Sequence, residues 1–163
     1  MSDKPLAEKR ILWIDDDKPI GSAAIRTLRG VIAAQTYFVH ITSERKPFDV
    51  LDALLEGSLD QYITGYRRSA DVPEIDLLVT DRQMPGQSGE QVIDEAFELV
   101  DGVYRPKAEY ANSLGGIVVA ASPFPEMTQL EQGGILSLQK PYAPEQLVET
   151  LTRSIQHYES LRE

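Results

Sequence analysis

The sequence predicts an α/β fold: a doubly wound, five-stranded parallel sheet flanked by helices. Three observations predict it. First, RILWI (10–14), TYFVHIT (36–42), IDLLVT (75–80), IVVAAS (117–122) and GILSLQK (134–140) are short strand-like runs, each separated from the next by helical or loop segments. Strands alternating with crossover helices pair in parallel. Second, the first, third and fourth runs carry uninterrupted apolar stretches, ILWI, LLV and IVVAA, as in strands buried on both faces. Third, 163 residues at 42% hydrophobic content suffice for one domain with a real core.

Each element has its own signal. RILWI is apolar up to an acidic triplet, and Trp13 within it reads as core packing. KPIGSAAIRTLRGVIAA (18–34) carries Ile20, Ala24, Leu28 and Val31 at helical spacing. TYFVHIT is β-branched and aromatic. PFDVLDALLEGSLDQYITGY (47–66) reads as a helix with Pro47 in its first turn. GEQVIDEAFELV (89–100) reads as an amphipathic helix, and DGVYRPKAEYANSLGG (101–116) as a loop. APEQLVETLTRSIQHYESL (143–161) is a long helix with Leu147, Val148, Leu151, Ile155 and Tyr158 on one side. His40 and His157 have no ligand partners at useful spacing and read as structural.

Composition narrows the function. A formal net charge of −10 argues against nucleic acid or an anionic membrane as a direct partner, because phosphate needs clustered Lys and Arg. With 0 cysteines there is no disulfide and no thiolate zinc site. MSDKPLAEKR lacks the apolar stretch of a secretion signal, and no apolar run is long enough to span a bilayer. The expectation is a soluble cytoplasmic protein.

The chemistry concentrates at strand ends. Asp15, Asp16 and Asp17 follow the first strand, and Asp81 follows the third. Open parallel sheets bind ligands beyond the carboxyl ends of their strands. If the two strands are neighbours, the carboxylates converge there. Crowded acids repel and raise one another's pKa, and a cation relieves this. Ligands that are all oxygen suit Mg²⁺, which usually accompanies a phosphoryl group. A carboxylate can itself be the nucleophile, forming an aspartyl phosphate. Lys140, in LQKPY (138–142), ends the last strand on the same edge and would neutralise transferred charge. The plainer alternative for any one of these acids is a helix cap or turn, but a cap explains one Asp and not three in succession.

ILWIDDDKP, DLLVTDRQMPGQSG and LQKPY, in that order, resemble the receiver domain of bacterial two-component response regulators of the chemotaxis-regulator type. The resemblance covers nearly all of a single domain, 1–163, with insertions near 55–74 and 101–116. It implies a flavodoxin-like sheet in the order 2-1-3-4-5. It also implies Asp81 as phosphoacceptor, with Asp16 as a direct Mg²⁺ ligand, Asp15 acting partly through water, and a main-chain carbonyl from Gln83. Lys140 would contact the phosphoryl group, and a hydroxyl ending the fourth strand would follow it. Such a domain takes its phosphoryl group from a histidine kinase or a histidine phosphotransfer protein. At most it catalyses its own phosphotransfer and autodephosphorylation. The long last helix offers a face for a two-fold pair.

The sequence departs from that pattern in places. The hydroxyl position falls on Ala121 in one alignment and on Ser122 in the other, with a lean to Ala121. The family's aromatic switch residue is replaced by Ser137, and the segment 122–134 is short for a helix and cut by two prolines. Both insertions carry Tyr and Arg, in YITGYRRS and VYRPKAEY, a composition found at interaction surfaces as well as in a longer helix or a solvated loop. Two other functions remain open. One is a pseudo-receiver kept for protein contacts alone. The other is an aspartate-nucleophile phosphatase using Asp15 and Asp17. That reading lacks a later acidic pair on a strand end and leaves Asp81 unexplained.

Overall fold

A computed structural model describes residues 10–32, 35–63, 75–111, 113–120, 135–138 and 143–161. In chain order its elements are β1 (Arg10–Asp15), α1 (Lys18–Ile32), β2 (Gln35–His40), α2 (Pro47–Glu56), β3 (Ile75–Thr80), α3 (Gly89–Ala96), β4 (Phe97–Val100), β5 (Val103–Pro106), β6 (Leu114–Ala120), β7 (Leu136–Ser137) and α4 (Pro144–Leu161). The main sheet has five strands in the order β2-β1-β3-β6-β7, and every pairing in it is parallel.

The continuous apolar run of β1 is buried on both faces, as its pattern requires, from Ile11 to Asp15. Strand alternation divides it. Leu12 and Ile14 join Val50, Leu51, Val92 and Ile93 of α2 and α3 on one side. Ile11 and Trp13 join Ala24, Leu28, Leu147 and Leu151 of α1 and α4 on the other. The helices therefore cover both faces.

One glycine sets the closeness of α1 to the sheet. A methyl at Gly21 would stand 2.2 Å from the ring of the buried Phe38. Gly21→Ala is expected to cost about 1–3 kcal/mol by overpacking, despite alanine's better helix propensity. Urea unfolding measures this, and Phe38→Leu in the same chain should recover part of the loss.

Two helices end earlier than their patterns predict. The helix expected over 47–66 stops at Glu56 because Gly57 takes a left-handed cap (φ 74°), and a single 3₁₀ turn, Leu59–Tyr62, follows. The rest of the first insertion, 64–74, lies outside the described residues. The helix expected over 89–100 stops at Ala96, and the loop expected over 101–116 is largely folded. Asp101 and Gly102 both have positive φ, 52° and 80°, and join β4 to β5 as an antiparallel hairpin with Val100 opposite Val103. Asp-Gly is a favoured pair for this two-residue turn. Tyr110 beyond it is buried in the core, so one of the tyrosines that suggested an interaction surface is an internal anchor. The fourth strand of the main sheet then begins at Leu114 rather than at residue 117. Among the described residues, no helix is long and apolar enough to cross a membrane.

Candidate functional site

Parallel register builds the site. Ile14 lies opposite Thr80, so Asp15 and Asp81 emerge side by side at the carboxyl edge. The Asp81 N–H donates to the Ile14 carbonyl at 3.2 Å, and the Ile41 N–H donates to the Asp15 carbonyl at 2.9 Å. Carboxylate oxygens of Asp15, Asp16 and Asp81 all lie within 4.8 Å of one another. Asp15 and Asp81 are buried, while Asp16 is exposed.

The three consecutive acids have three different settings. Asp15 receives the Asp17 N–H at 2.9 Å on one oxygen and the Trp13 indole N–H at 3.4 Å on the other. The Asp16 carboxyl is pushed up to about 6. Partial burial is the largest cause, even though the side chain still meets solvent; a hydrogen bond with Asp81 and the charges of Asp81 and Asp15 add to it. Asp17 is not one of the three whose oxygens converge. Its carboxylate accepts the Ile20 N–H at 3.1 Å and caps α1. Asp17→Ala should therefore cost about 0.5–2 kcal/mol of stability in urea unfolding and leave Mg²⁺ affinity unchanged, because the N–H that serves Asp15 is main chain.

The loop after Asp81 is tied at both ends. Gly86 has φ 90°, which suits the second central position of a turn led by Pro85. The Gly89 N–H donates to the Arg82 carbonyl at 2.7 Å, and Arg82 pairs with Glu90 at 3.4 Å. Ser88 caps α3 reciprocally with Gln91. The Gln87 side chain accepts the Phe48 N–H at 2.9 Å and joins the loop to the start of α2. Gln83 lies on this loop, exposed, two residues beyond Asp81.

Of the residues singled out from sequence, the structure brings together Asp15, Asp16 and Asp81 and removes Asp17 from the group. Lys140, Ala121 and Ser122 lie outside the described residues. Ser137 is in β7, in register with Ala120. Two neighbours of the site were not legible as such. His40 is level with Asp15 at the end of β2, and its Nε2 lies 3.2 Å from the Asp16 carbonyl. The other is Trp13. Aligning the ends of the first two strands would have pointed to His40, since both open on the same edge.

Three converging carboxylates form a donor set of hard oxygens, which fits Mg²⁺. No family model matches the sequence, and no curated protein matches it. Solved structures do match. The chemotaxis response regulator CheY4 of Vibrio cholerae is similar at 18% identity, over 90% of this chain and 98% of that one, with a TM-score of 0.56. The signal receiver domain of an HD domain-containing protein from Pseudomonas fluorescens Pf-5 is similar at 14% identity, over 99% and 96%, with a TM-score of 0.60. The chain has the receiver-domain fold. The receiver domain of the hybrid histidine kinase CckA is similar at 21% identity, over 90% of this chain and 99% of that one, with a TM-score of 0.52. On this receiver fold the acid cluster occupies the carboxyl edge of β1 and β3, where open α/β sheets bind ligands.

Proposed function

We propose that the chain is a phosphoacceptor receiver of two-component signalling, taking a phosphoryl group on Asp81 from a histidine kinase or a histidine phosphotransfer protein. The observation that carries this reading is the placement of Asp81 beside Asp15 and Asp16 at the carboxyl edge of a receiver fold. Asp15, Asp16, Asp81 and the main-chain carbonyl of Gln83 would hold Mg²⁺, which when bound would neutralise charge on the phosphoryl oxygens. A carboxylate oxygen of Asp81 bonds to phosphorus as the bond from phosphorus to the donor breaks, and the donor leaves with that electron pair. Lys140 would pair with the transferred phosphoryl oxygens, and Ser122, if it holds the hydroxyl position, would follow them. A cytoplasmic setting suits such a partner.

The phosphatase reading has less support. It needs Asp15 as nucleophile and Asp17 as general acid, but both oxygens of the wholly buried Asp15 accept hydrogen bonds and Asp17 caps α1. Intact mass after incubation with acetyl phosphate and Mg²⁺ tests the proposal against a pseudo-receiver. One added phosphoryl group per chain supports it, and an unchanged mass overturns it. Ser137 at the switch position implies a readout concentrated in the loop after Asp81 and in 122–133. Hydrogen exchange with and without beryllofluoride would show it, and changes confined to 134–140 would overturn that expectation. A two-fold pair through α4 is the proposed oligomer, checked by sedimentation.

A further inference from the structure

Trp13 is wholly buried between β1 and the α1–α4 layer, beside Ala24, Leu28 and Phe38. An aliphatic residue would suit such a position, as Ile11 does one alternation earlier. Tryptophan brings an indole N–H into the core, and a buried N–H needs a partner. Residues two apart on a strand share a face, so Trp13 stands directly behind Asp15. Its Nε1 lies 3.4 Å from Asp15 Oδ2. The other Asp15 oxygen is held by the Asp17 N–H at 2.9 Å, so the two donors fix the plane of a carboxylate with no exposed surface.

We propose that Trp13 is a positioning residue for the acid cluster: its indole N–H orients Asp15 from within the core so that the carboxylate supports a cation held with Asp16 and Asp81. This rests on the metal-binding reading above. Partners behind a metal ligand fix its orientation, and losing one costs 10–100-fold in affinity in typical sites. The bond here is long, so about tenfold is expected.

The chain has a single tryptophan, so biosynthetic replacement by β-(3-benzothienyl)alanine changes that position alone. The analogue keeps the ring shape and puts sulfur where the N–H was. Calorimetric titration with MgCl₂ should show about tenfold weaker binding than wild type, with a urea midpoint lowered only by the loss of one long buried hydrogen bond. Trp13→Phe should weaken binding similarly. Ile11→Val, on the same face but without a polar contact, should lower stability and leave Mg²⁺ affinity alone. Wild-type affinity in the benzothienyl chain overturns the positioning role while the metal site stands. Failure of wild type to bind Mg²⁺ overturns the metal site, and this inference with it. Equal weakening in Ile11→Val would show a general packing effect and would also overturn the inference.

Discussion

Asp81→Asn leaves the chain unlabelled by acetyl phosphate and Mg²⁺ under conditions that label wild type. The expected effect is complete loss, because an amide has no anionic oxygen to bond with phosphorus. The neighbouring acids are poor substitutes. Asp15 is wholly buried and both its oxygens already accept hydrogen bonds. Asp16 is exposed, but its carboxyl is pushed up to about 6, which lowers its ionised fraction below that of an ordinary aspartate in mildly acidic solution. Asp81 follows β3 at the centre of the sheet edge, with its main chain fixed to Ile14. Intact mass spectrometry reads the result directly. Persistent labelling of Asp81→Asn would move the acceptor to another acid, and peptide mapping would identify it. The fold control is simple: Asp81→Asn removes one of three crowded carboxylates, so its urea midpoint should not fall below that of wild type.

The sheet and the acid cluster were legible for the same physical reason. Strands buried on both faces leave apolar stretches such as ILWI and LLV, and acids follow RILWI and IDLLVT at the point where the strands leave the core. The hairpin of β4 and β5 was not read, because VIDEAFELV satisfies helical spacing about as well as strand alternation. The deciding signal was Asp101-Gly102, two residues able to take positive φ. Gly57 held the same kind of information for the end of α2. The role of Asp17 could not be separated from those of Asp15 and Asp16 by spacing. Which acid caps the helix depends on where α1 starts, and a triplet fits several frames. Trp13 read as core and is core; its contact with Asp15 depends on ring orientation, which no pattern encodes.

Asp16→Asn should reverse the order of stability between metal-free and Mg²⁺-loaded protein. In the metal-free chain the Asp16 carboxyl is raised from 3.8 to about 6, so the folded state holds this proton more tightly than the unfolded state. Stability from this group is therefore greatest at low pH, falls as pH rises through that window, and stays at the lower level above it. Fully expressed, such a shift corresponds to roughly 3 kcal/mol. The side chain is exposed, so solvent screening reduces this to about 1 kcal/mol. Asp16→Asn without metal should then be about 1 kcal/mol more stable than wild type at neutral pH, and the advantage should vanish toward pH 4, where wild type is protonated as well. Mg²⁺ changes the order. A ligand at one hundred times its Kd stabilises the folded state by about 2.7 kcal/mol. Wild type gains that increment; the variant, without its exposed ligand, gains little. Urea unfolding at pH 4 and pH 7, each with and without MgCl₂, measures all four corners. A metal-free variant less stable than wild type at pH 7 would show that the cluster is not held together under repulsion. Equal Mg²⁺ stabilisation of both chains would remove Asp16 from the cation's ligands.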